Sequence, residues 1–383
     1  MDTNIQSNTT VENEAMSDFN DKLSSIRVEK LPNNQLLKVR NLRVDFKNGR
    51  NSLIRIVRGV DIDVNNGQIV GLVGESGSGK SVTSKALINV NENALVSSDE
   101  LVISDIDLSK IKKQKLWESV RGHYIGYIPQ DPLTSLNPTR KIGKQLLDAL
   151  NLNSEWKWRS KEEKKAYLIG LLERFGIHDA EEVYDRYPHT LSGGMKQRVV
   201  ITMVVALKPL LIIADEPTTA LDPTVQASVL ALFEQIRQEY NISIILISHN
   251  ISVVAKFCEY IYVMYAGKIV ERGTRKDIFT NPAHPYTWAL ISAIPENDDE
   301  RLFSIQGTPP DMANLPIGDP FAPRNDFALE IDYEKEPPLI EINSHHKAKT
   351  TWLLHPDAPK IQRPKELEHR LKSFRKVFKD DEE

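Results

Sequence analysis

The eight residues 74–81 have the composition of a phosphate-binding turn. Their sequence, Gly-Glu-Ser-Gly-Ser-Gly-Lys-Ser, fits the pattern G-x-x-x-x-G-K-[ST] and follows the apolar run 69–73. Glycines let backbone N–H groups converge on phosphate oxygens, and the helix that begins after the turn adds the positive end of its dipole. In such a turn Lys80 contacts the β- and γ-phosphates and Ser81 ligates Mg²⁺. The residues expected to line the phosphates are Gly74, Ser76, Gly77 and Gly79.

Two adjacent carboxylates supply a second kind of chemistry. Asp215 and Glu216 follow the continuous apolar run 210–214, which is typical of a central parallel strand. Two acids at the end of a buried strand are costly unless a cation or a water engages them. We therefore expect Asp215 to hold Mg²⁺ through its water shell and Glu216 to polarise an attacking water. Structural carboxylates in a loop are the alternative.

Polar residues also end two further strands. Gln130 follows a strand that ends at Pro129, and His249 follows the apolar run 242–247 and Ser248. Open α/β sheets bind ligands at the carboxyl ends of their strands, so both residues are candidates for the nucleotide site. A lone histidine is usually structural. Its position among the other strand ends favours contact of His249 with the γ-phosphate.

A second helix start has the features of an anion site. Residues 191–198, Leu-Ser-Gly-Gly-Met-Lys-Gln-Arg, place one serine and two glycines before a long apolar helix. One chain needs only one phosphate cradle. We therefore expect this helix start to serve a nucleotide that another subunit holds.

Composition narrows the class of protein. The 383 residues are 40% hydrophobic, which is enough to build a core. Their net charge of −4 gives no bulk electrostatic attraction to nucleic acid. Cys258 is the one cysteine, so no intrachain disulfide is expected, and it is interpreted as a packed apolar residue. No apolar run reaches the roughly 20 residues that span a bilayer. Membrane association is therefore expected to come through a partner.

The stretches around these motifs predict four regions. Residues 1–36 are rich in Asn, Ser, Thr and Glu and predict a disordered tail. Apolar residues alternate over 39–46 and 60–64, which predicts antiparallel strands. Phe46 ends the first of them, where it either stacks on adenine or is a plain core aromatic. Residues 131–187 show helical periodicity and no convincing strand, and so predict a helical insertion.

The C-terminal part has a different composition. Of the 21 prolines in the chain, 13 follow residue 281, which predicts an irregular appended domain. The last stretch places Leu367, Leu371, Phe374 and Phe378 on one face of a charged helix. We expect this helix to be solvated. Docking on anionic lipid is the alternative, which the acidic end 380–383 disfavours.

The order and spacing of the motifs resemble the nucleotide-binding domain of ABC ATPases over residues 37 to about 275. The matching stretches are 74–81, 130, 191–198, 210–216, 220–222 and 249. The resemblance implies that Gln130 touches Mg²⁺ and couples the helical insertion to a membrane subunit. It also implies that Ser192 and Gly194 belong to a signature motif that closes on the partner subunit's ATP.

Further roles follow from the same resemblance. It implies that Glu216 is the catalytic base, Asp222 the D-loop residue and His249 the switch histidine. Phe46 lies where the family has its adenine-stacking aromatic. The usual aspartate after the switch histidine is Asn250 here, and we do not expect that change to abolish hydrolysis.

Other stretches are similar to the oligopeptide/dipeptide importer branch of this family. They are 130–138, 215–226 and 281–287, with 307–310 and 352–356 in the C-terminal extension. Many relatives carry four cysteines in that extension, which bind an iron–sulfur cluster. The aligned positions hold Asp319, Asn325, Asp332 and Thr351. None offers a thiolate, so no iron–sulfur cluster is expected, and iron determination on the purified protein checks this.

The predicted fold class is α/β: an ABC-type P-loop ATPase with a RecA-like core, an N-terminal antiparallel β subdomain, a helical subdomain insertion and an irregular C-terminal extension. The predicted boundaries are 1–36 for the tail, 37–280 for the ATPase domain, with the helical subdomain at about 131–190, then 281–360 for the extension and 361–383 for the charged C-terminal helix.

The resemblance implies an ATP- and Mg²⁺-dependent ATPase subunit that energises oligopeptide import, peripheral on the cytoplasmic face of a bacterial cell membrane. The implied partners are two transmembrane permease subunits, a paralogous ATPase subunit and, indirectly, an extracellular peptide-binding protein, with no nucleic acid. The alternatives are a dipeptide or nickel importer, a soluble non-transport ABC ATPase and a purely regulatory nucleotide-binding module. The cargo and the choice between homodimer and heterodimer stay open.

Overall fold

The structure, a computed structural model, describes residues 23–32, 34–49, 52–219, 222–294, 305–354, 358 and 361–380. The chain divides into two compact units, each assembled from separate segments of sequence. The first comprises Met1–Lys38, Asp63–Gln68 and Glu100–Ile245, and the second comprises Val39–Ile62, Ile69–Asp99 and Leu246–Glu383.

Strands and helices alternate through much of the described chain. The strands are β1 (Gln35–Asn48), β2 (Ser52–Asn65), β3 (Ile69–Val73), β4 (Ala94–Ser97), β5 (Glu100–Ile103), β6 (Ile106–Asp107), β7 (Ile125–Ile128), β8 (Leu211–Asp215), β9 (Ser243–Ser248), β10 (Tyr260–Tyr265), β11 (Lys268–Thr274), β12 (Leu339–Glu341) and β13 (Lys347–Lys349). The α-helices are α1 (Lys80–Leu87), α2 (Gln114–Val120), α3 (Pro132–Ser135), α4 (Ile142–Leu150), α5 (Lys161–Arg174), α6 (Ala180–Asp185), α7 (Gly193–Val205), α8 (Pro223–Tyr240), α9 (Ile251–Phe257), α10 (Arg275–Thr280), α11 (Pro285–Ser292) and α12 (Lys365–Asp380).

In the first unit, β7 and β8 form a parallel pair that positions Gln130 and the two carboxylates. Ile128 lies opposite Ala214 in the ladder, so the two strands end side by side. Every residue of β8 is buried, as its unbroken apolar sequence predicts. The pairing brings the residues that follow the two strands to the same edge.

The helical pattern predicted for 131–187 is present as α3, α4, α5 and α6, and no strand lies among these residues. In α4, Ile142, Leu146 and Leu150 recur at helical spacing and are fully buried. Helix α5 begins at a capping box, in which the Ser160 hydroxyl and the Glu163 carboxylate each accept a hydrogen bond from the other residue's backbone N–H. Amphipathic periodicity and a cap therefore specify this region locally.

Part of the segment predicted to be a disordered tail is ordered. Residues 1–22 lie outside the described part of the chain, but residues 23–32 are packed in the first unit and β1 begins at Gln35. Leu23 and Ile26 are buried, and Arg27 forms an ion pair of 2.5 Å with Asp105 beside β6. The polar composition of the tail hid these two buried apolar residues, so the prediction of disorder to residue 36 is wrong for 23–32.

The second unit is built around β10. This strand runs parallel to β3 and antiparallel to β11, and β13 and then β12 extend the sheet beyond β11. Every residue of β3 is buried. A separate sheet pairs β1 with β2 and, antiparallel, with β4. Strand β1 continues to Asn48, two residues beyond Phe46, where its end was expected.

The C-terminal helix α12 packs on the protein and is not a solvated helix as expected. Leu367 and Leu371 are fully buried. The Phe374 ring lies 4.9 Å from that of Phe279 in α10, and Arg375 Nη2 donates to the Thr280 carbonyl at 2.9 Å. The apolar face of α12 is thus covered by the chain itself. Among the described residues, no helix combines the length and apolar character that crossing a membrane requires.

Candidate nucleotide site

The phosphate loop lies in the second unit, between β3 and α1. Gly77 and Gly79 have φ angles of +80° and +103°, which residues with a Cβ atom seldom adopt. A Cβ at Gly74 would lie 2.2 Å from the Met264 carbonyl oxygen of β10. The loop is also tied to the β10–β11 turn, because the Gly267 N–H donates to the Ser78 carbonyl at 2.9 Å. The glycines therefore meet both a backbone requirement and a packing requirement.

Lys80 is held inside this loop. Its side chain is in the first turn of α1, the residue is 4% exposed, and Nζ donates to the carbonyls of Gly74 at 2.8 Å and Glu75 at 2.9 Å. Ser81, the next residue in the same turn, is half-buried. An ammonium group fixed at the mouth of a glycine turn is placed as phosphate recognition requires.

The carboxylates lie in the first unit at the end of β8. Asp215 is buried, and its Oδ2 accepts a hydrogen bond of 2.8 Å from the Tyr127 hydroxyl of β7. Glu216 Oε2 accepts from Gln130 Nε2 at 3.2 Å and from Thr219 Oγ1 at 3.0 Å. The structure thus brings Gln130, Asp215 and Glu216 together. Carboxylate and amide oxygens are hard donors that Mg²⁺ prefers, so Gln130 and Asp215 suit that ion chemically. The Ser81 hydroxyl, in the second unit, is a donor of the same kind.

Glu216 also has an unusual backbone. Its φ angle is +49°, in the left-handed region that residues with a Cβ seldom adopt. Such a conformation costs roughly 1–3 kcal/mol, and strained conformations of this kind cluster at active sites. Among the described site residues with a side chain, Glu216 is the one with a positive φ, which adds a structural reason to single it out.

The second helix start, also in the first unit, is exposed as predicted. Ser192 caps α7, its Oγ accepting a hydrogen bond of 3.3 Å from the Met195 N–H, and Ser192 and Gly193 are exposed. A Cβ at Gly194 would lie 2.8 Å from Val225 Cγ1 in the first turn of α8. The glycine therefore allows close packing of α7 on α8 and leaves the helix start accessible.

Two further predicted residues lie beside helix starts. Asp222 caps α8, accepting a hydrogen bond of 3.0 Å from the Val225 N–H, while residues 220 and 221 lie outside the described part of the chain. His249 is exposed after β9. Asn250, which replaces the usual aspartate, caps α9 by accepting from the Ser252 N–H at 2.9 Å. An asparagine serves that cap as well as an aspartate.

Phe46 is half-buried in β1, opposite Ala94 of β4. This placement leaves both interpretations open, since a partly exposed ring can stack on a base or cover a core edge. Cys258 is buried, and desolvation raises the pKa of its thiol strongly, in keeping with its interpretation as a packed apolar residue.

The four positions aligned with cluster-binding cysteines carry hydrogen-bonded polar side chains. Thr351 Oγ1 donates to the Asp332 carboxylate, and the Asp319 N–H donates to the Asp332 carbonyl at 2.7 Å. Asp319 and Asn325 each accept a backbone hydrogen bond of 3.0 Å, from Phe321 and Phe327 respectively. The expected absence of an iron–sulfur cluster stays a prediction.

Several residues that contact the site were not predicted. Tyr127 was detectable in principle, since it lies on the strand that precedes Gln130. Glu75 was treated as a variable position of the loop, yet it contacts Tyr286 and Arg324, which are 211 and 249 residues away. No local pattern signals contacts over such separations.

Comparisons with known proteins agree with this architecture. Residues 57–219 match the family described as ABC transporter, and residues 270–331 match the family described as Oligopeptide/dipeptide transporter, C-terminal region. The chain is 46% identical over 391 residues to the oligopeptide transport ATP-binding protein OppD of Mycoplasma genitalium, covering 92% of this chain and 96% of that protein.

Two further matches extend the comparison. The chain is 46% identical over 330 residues to the dipeptide transport ATP-binding protein DppD of Lactococcus lactis, covering 85% of this chain and 93% of that protein. Among solved structures, it is similar to the dimeric post-hydrolysis ATP-binding cassette MJ0796 bound to ADP and Pi, with 25% sequence identity, a TM-score of 0.52 and coverage of 63% of this chain and 99% of that one.

Proposed function

We infer that this chain, which belongs to the ABC transporter ATP-binding proteins and within them to the oligopeptide transport branch, hydrolyses ATP to energise oligopeptide import. The observation that carries this inference is the match over 92% of the chain to a relative named for oligopeptide transport, together with the matching C-terminal region. The intact phosphate loop and the hydrogen-bonded Gln130–Glu216 pair support it, because they supply phosphate binding and a general base.

Each site residue has a proposed part in the reaction. Lys80 and the loop N–H groups bind the β- and γ-phosphates, and Phe46 stacks on the adenine. Glu216 accepts a proton from the attacking water, and Gln130 orients that carboxylate through the amide hydrogen bond. Mg²⁺ when bound neutralises charge on the phosphates, and Ser81, Gln130 and Asp215 would hold it. His249 contacts the γ-phosphate.

The second helix start is proposed to act on a neighbour. Ser192 and Gly194, with Asp222, would close on the nucleotide of a second ATPase subunit, and the exposure of Ser192 supports this. The similar cassette MJ0796 is described as dimeric. The proposed neighbour is a paralogous, OppF-type subunit, and closure would move the helical insertion against two transmembrane permeases. An extracellular binding protein would deliver peptide, with this chain peripheral on the cytoplasmic face.

The similarity to DppD supports a second cargo, dipeptides. Uptake of labelled di- to octapeptides by a strain that lacks this gene, with and without complementation, separates the two. A soluble ABC ATPase with no role in transport would purify without membrane permeases, whereas an importer subunit would co-purify with them.

Replacement of Glu216 by Gln tests the catalytic assignment. The amide keeps the size and one hydrogen-bond acceptor but cannot take a proton, so steady-state ATP hydrolysis should fall at least ~100-fold while ATP binding stays within about twofold. Phosphate release and equilibrium binding measure the two quantities. Unchanged hydrolysis would remove Glu216 as the base. The Lys80→Ala variant should instead lose ATP binding.

A further inference from the structure

One residue of the phosphate loop, Glu75, is fixed by the C-terminal extension. Its carboxylate accepts two parallel hydrogen bonds from the Arg324 guanidinium, Nη1 to Oε2 at 2.6 Å and Nη2 to Oε1 at 3.0 Å. Its N–H donates to the Tyr286 hydroxyl at 2.7 Å, and its carbonyl accepts from Lys80 Nζ at 2.9 Å. A single residue thus joins the extension to the lysine that binds phosphate.

The Arg324–Glu75 ion pair is shielded from water. The side chain of Arg324 is 5% exposed and that of Glu75 is 23% exposed. Arg324 Nε also donates to the Gln306 carbonyl at 2.9 Å, and Nη1 to the Tyr265 hydroxyl at 3.1 Å. Burial works against its charge, but the hydrogen bonds to Glu75 and Tyr265 raise the pKa of Arg324 overall, so it stays a cation. Bidentate, shielded pairs of this kind hold their geometry far better than surface pairs.

Aromatic packing fixes the groups around the pair. The Tyr265 ring lies 4.7 Å from the Tyr286 ring and 5.2 Å from the Phe321 ring, and all three residues are buried. Farther along the extension, Pro309 and Pro310 line one narrow cleft together with Ser76 and Gly77 of the loop. The extension therefore contacts the phosphate loop at several points.

The charge of Glu75 makes these contacts matter for nucleotide binding. A carboxylate in a loop that binds phosphates repels the anionic ligand unless a cation neutralises it. Arg324 is the cation that pairs with it in the described structure. Loss of Arg324 would leave a partly buried negative charge two residues before Gly77, besides releasing the loop from the extension.

We propose that Arg324 and Tyr286 are positioning residues of the nucleotide site, which hold the phosphate loop through Glu75 and cancel its charge. The extension then sets the affinity of the loop for nucleotide. This proposal rests on the proposed ATPase function, and it adds to that function a role for a region outside the catalytic motifs.

A rescue experiment on the full-length chain tests the proposal. Titration with a fluorescent ADP analogue should show about tenfold weaker binding for Arg324→Gln, because a charged hydrogen-bonded pair is broken. Adding Glu75→Gln to that variant should restore most of the affinity, since the unpaired charge is then gone. Tyr286→Phe keeps the ring packing and loses one hydrogen bond, so about threefold weaker binding is expected.

Arg363→Gln is the matched control. Arg363 also belongs to the C-terminal part, but Nη2 donates to Asn281 Oδ1 at 2.7 Å and to the Pro282 carbonyl at 3.1 Å, and neither partner is a residue of the loop. The affinity of the Arg363→Gln variant for the analogue should be unchanged.

If Arg324→Gln and Tyr286→Phe bind within twofold of the natural chain while Lys80→Ala does not bind, the positioning role is wrong and the ATPase function stands. If Arg324→Gln is weakened and Glu75→Gln gives no rescue, charge cancellation is refuted. A natural chain that binds no nucleotide overturns both proposals.

Discussion

At the scale of single residues, Asp215 and Glu216 are neighbours that the protein holds in different ways. Asp215 ends β8 and is fixed by Tyr127, while Glu216 turns into the left-handed region and contacts Gln130 and Thr219. The change of backbone direction between them lets two successive carboxylates reach different partners. One can then serve a cation while the other serves a water.

Tyr127→Phe tests the proposed cation role of Asp215. Loss of the 2.8 Å hydrogen bond frees the buried carboxylate to rotate, and groups that orient a metal ligand are typically worth about 10- to 100-fold in metal affinity. The Mg²⁺ concentration for half-maximal ATP hydrolysis should rise about tenfold, with activity recovered at high Mg²⁺. Tyr240→Phe, which removes a hydroxyl that accepts from Arg174 at 3.1 Å, is the control. An unchanged Mg²⁺ dependence would argue against Asp215 as the ligand.

At the scale of elements, the buried carboxylate of Glu271 joins β11 to two other segments. Its oxygens accept from the N–H groups of Ala283 at 2.7 Å and His284 at 3.0 Å, and Oε1 lies 2.7 Å from His346 Nε2. Burial lowers the pKa of His284 to about 4, so its neutral ring caps α11 by accepting from the Tyr286 N–H at 3.0 Å. The start of α11, and with it Tyr286, is fixed by this network.

Asp319 gives the extension a pH-dependent stability. Burial, and the nearby Asp332 carboxylate, raise its pKa from 3.8 to about 6. Between about pH 4 and about pH 6 the Asp319 carboxyl is protonated in the folded chain and ionised in the unfolded chain. The free energy of unfolding therefore rises as the pH falls from about 6 to about 4. Above pH 6 the buried charge is destabilising.

Asp319→Asn should therefore stabilise the protein most at high pH. The amide oxygen still accepts from the Phe321 N–H, while the charge is lost. We expect a gain of roughly 2 kcal/mol, or a few degrees in Tm, at pH 8, shrinking toward pH 5. Thermal unfolding at both pH values measures it, with the exposed Asp326→Asn as control. An equal gain at pH 5 and pH 8 would contradict the raised pKa.

Strands, helices and motif residues differed in how well the sequence predicted them. The apolar run before Asp215 predicted a buried strand, and the turn before Lys80 predicted a strand, loop and helix, because period and glycine content are local signals. The end of β1 beyond Phe46 was missed, since Lys47 and Asn48 lack the apolar alternation. The Arg324–Glu75 pair joins distant segments and leaves no trace in either of them alone.

At the scale of the whole molecule, the motifs are divided between two compact units. The phosphate loop and His249 belong to one, and the carboxylates and the exposed Ser192 belong to the other. Each unit therefore carries part of the machinery proposed for the reaction.

The proposed subunit pairing predicts an ATP-dependent change in mass. The Glu216→Gln variant with ATP should associate, either with itself or with the paralogous ATPase, as measured by light scattering after size exclusion. Ser192→Arg should prevent association, because a long cation fills the exposed helix start. A chain that stays a monomer with ATP, alone and mixed with its paralogue, would refute head-to-tail pairing.

The short strands β12 and β13 have a consequence for solubility. They cover the open side of β11, and the new outermost strand is only three residues long and follows Pro337 and Pro338. Short strands next to prolines resist pairing with foreign strands. A chain cut before residue 305 would present the seven residues of β11 to other molecules and invite aggregation. The extension thus protects the edge of the sheet from pairing with strands of other molecules.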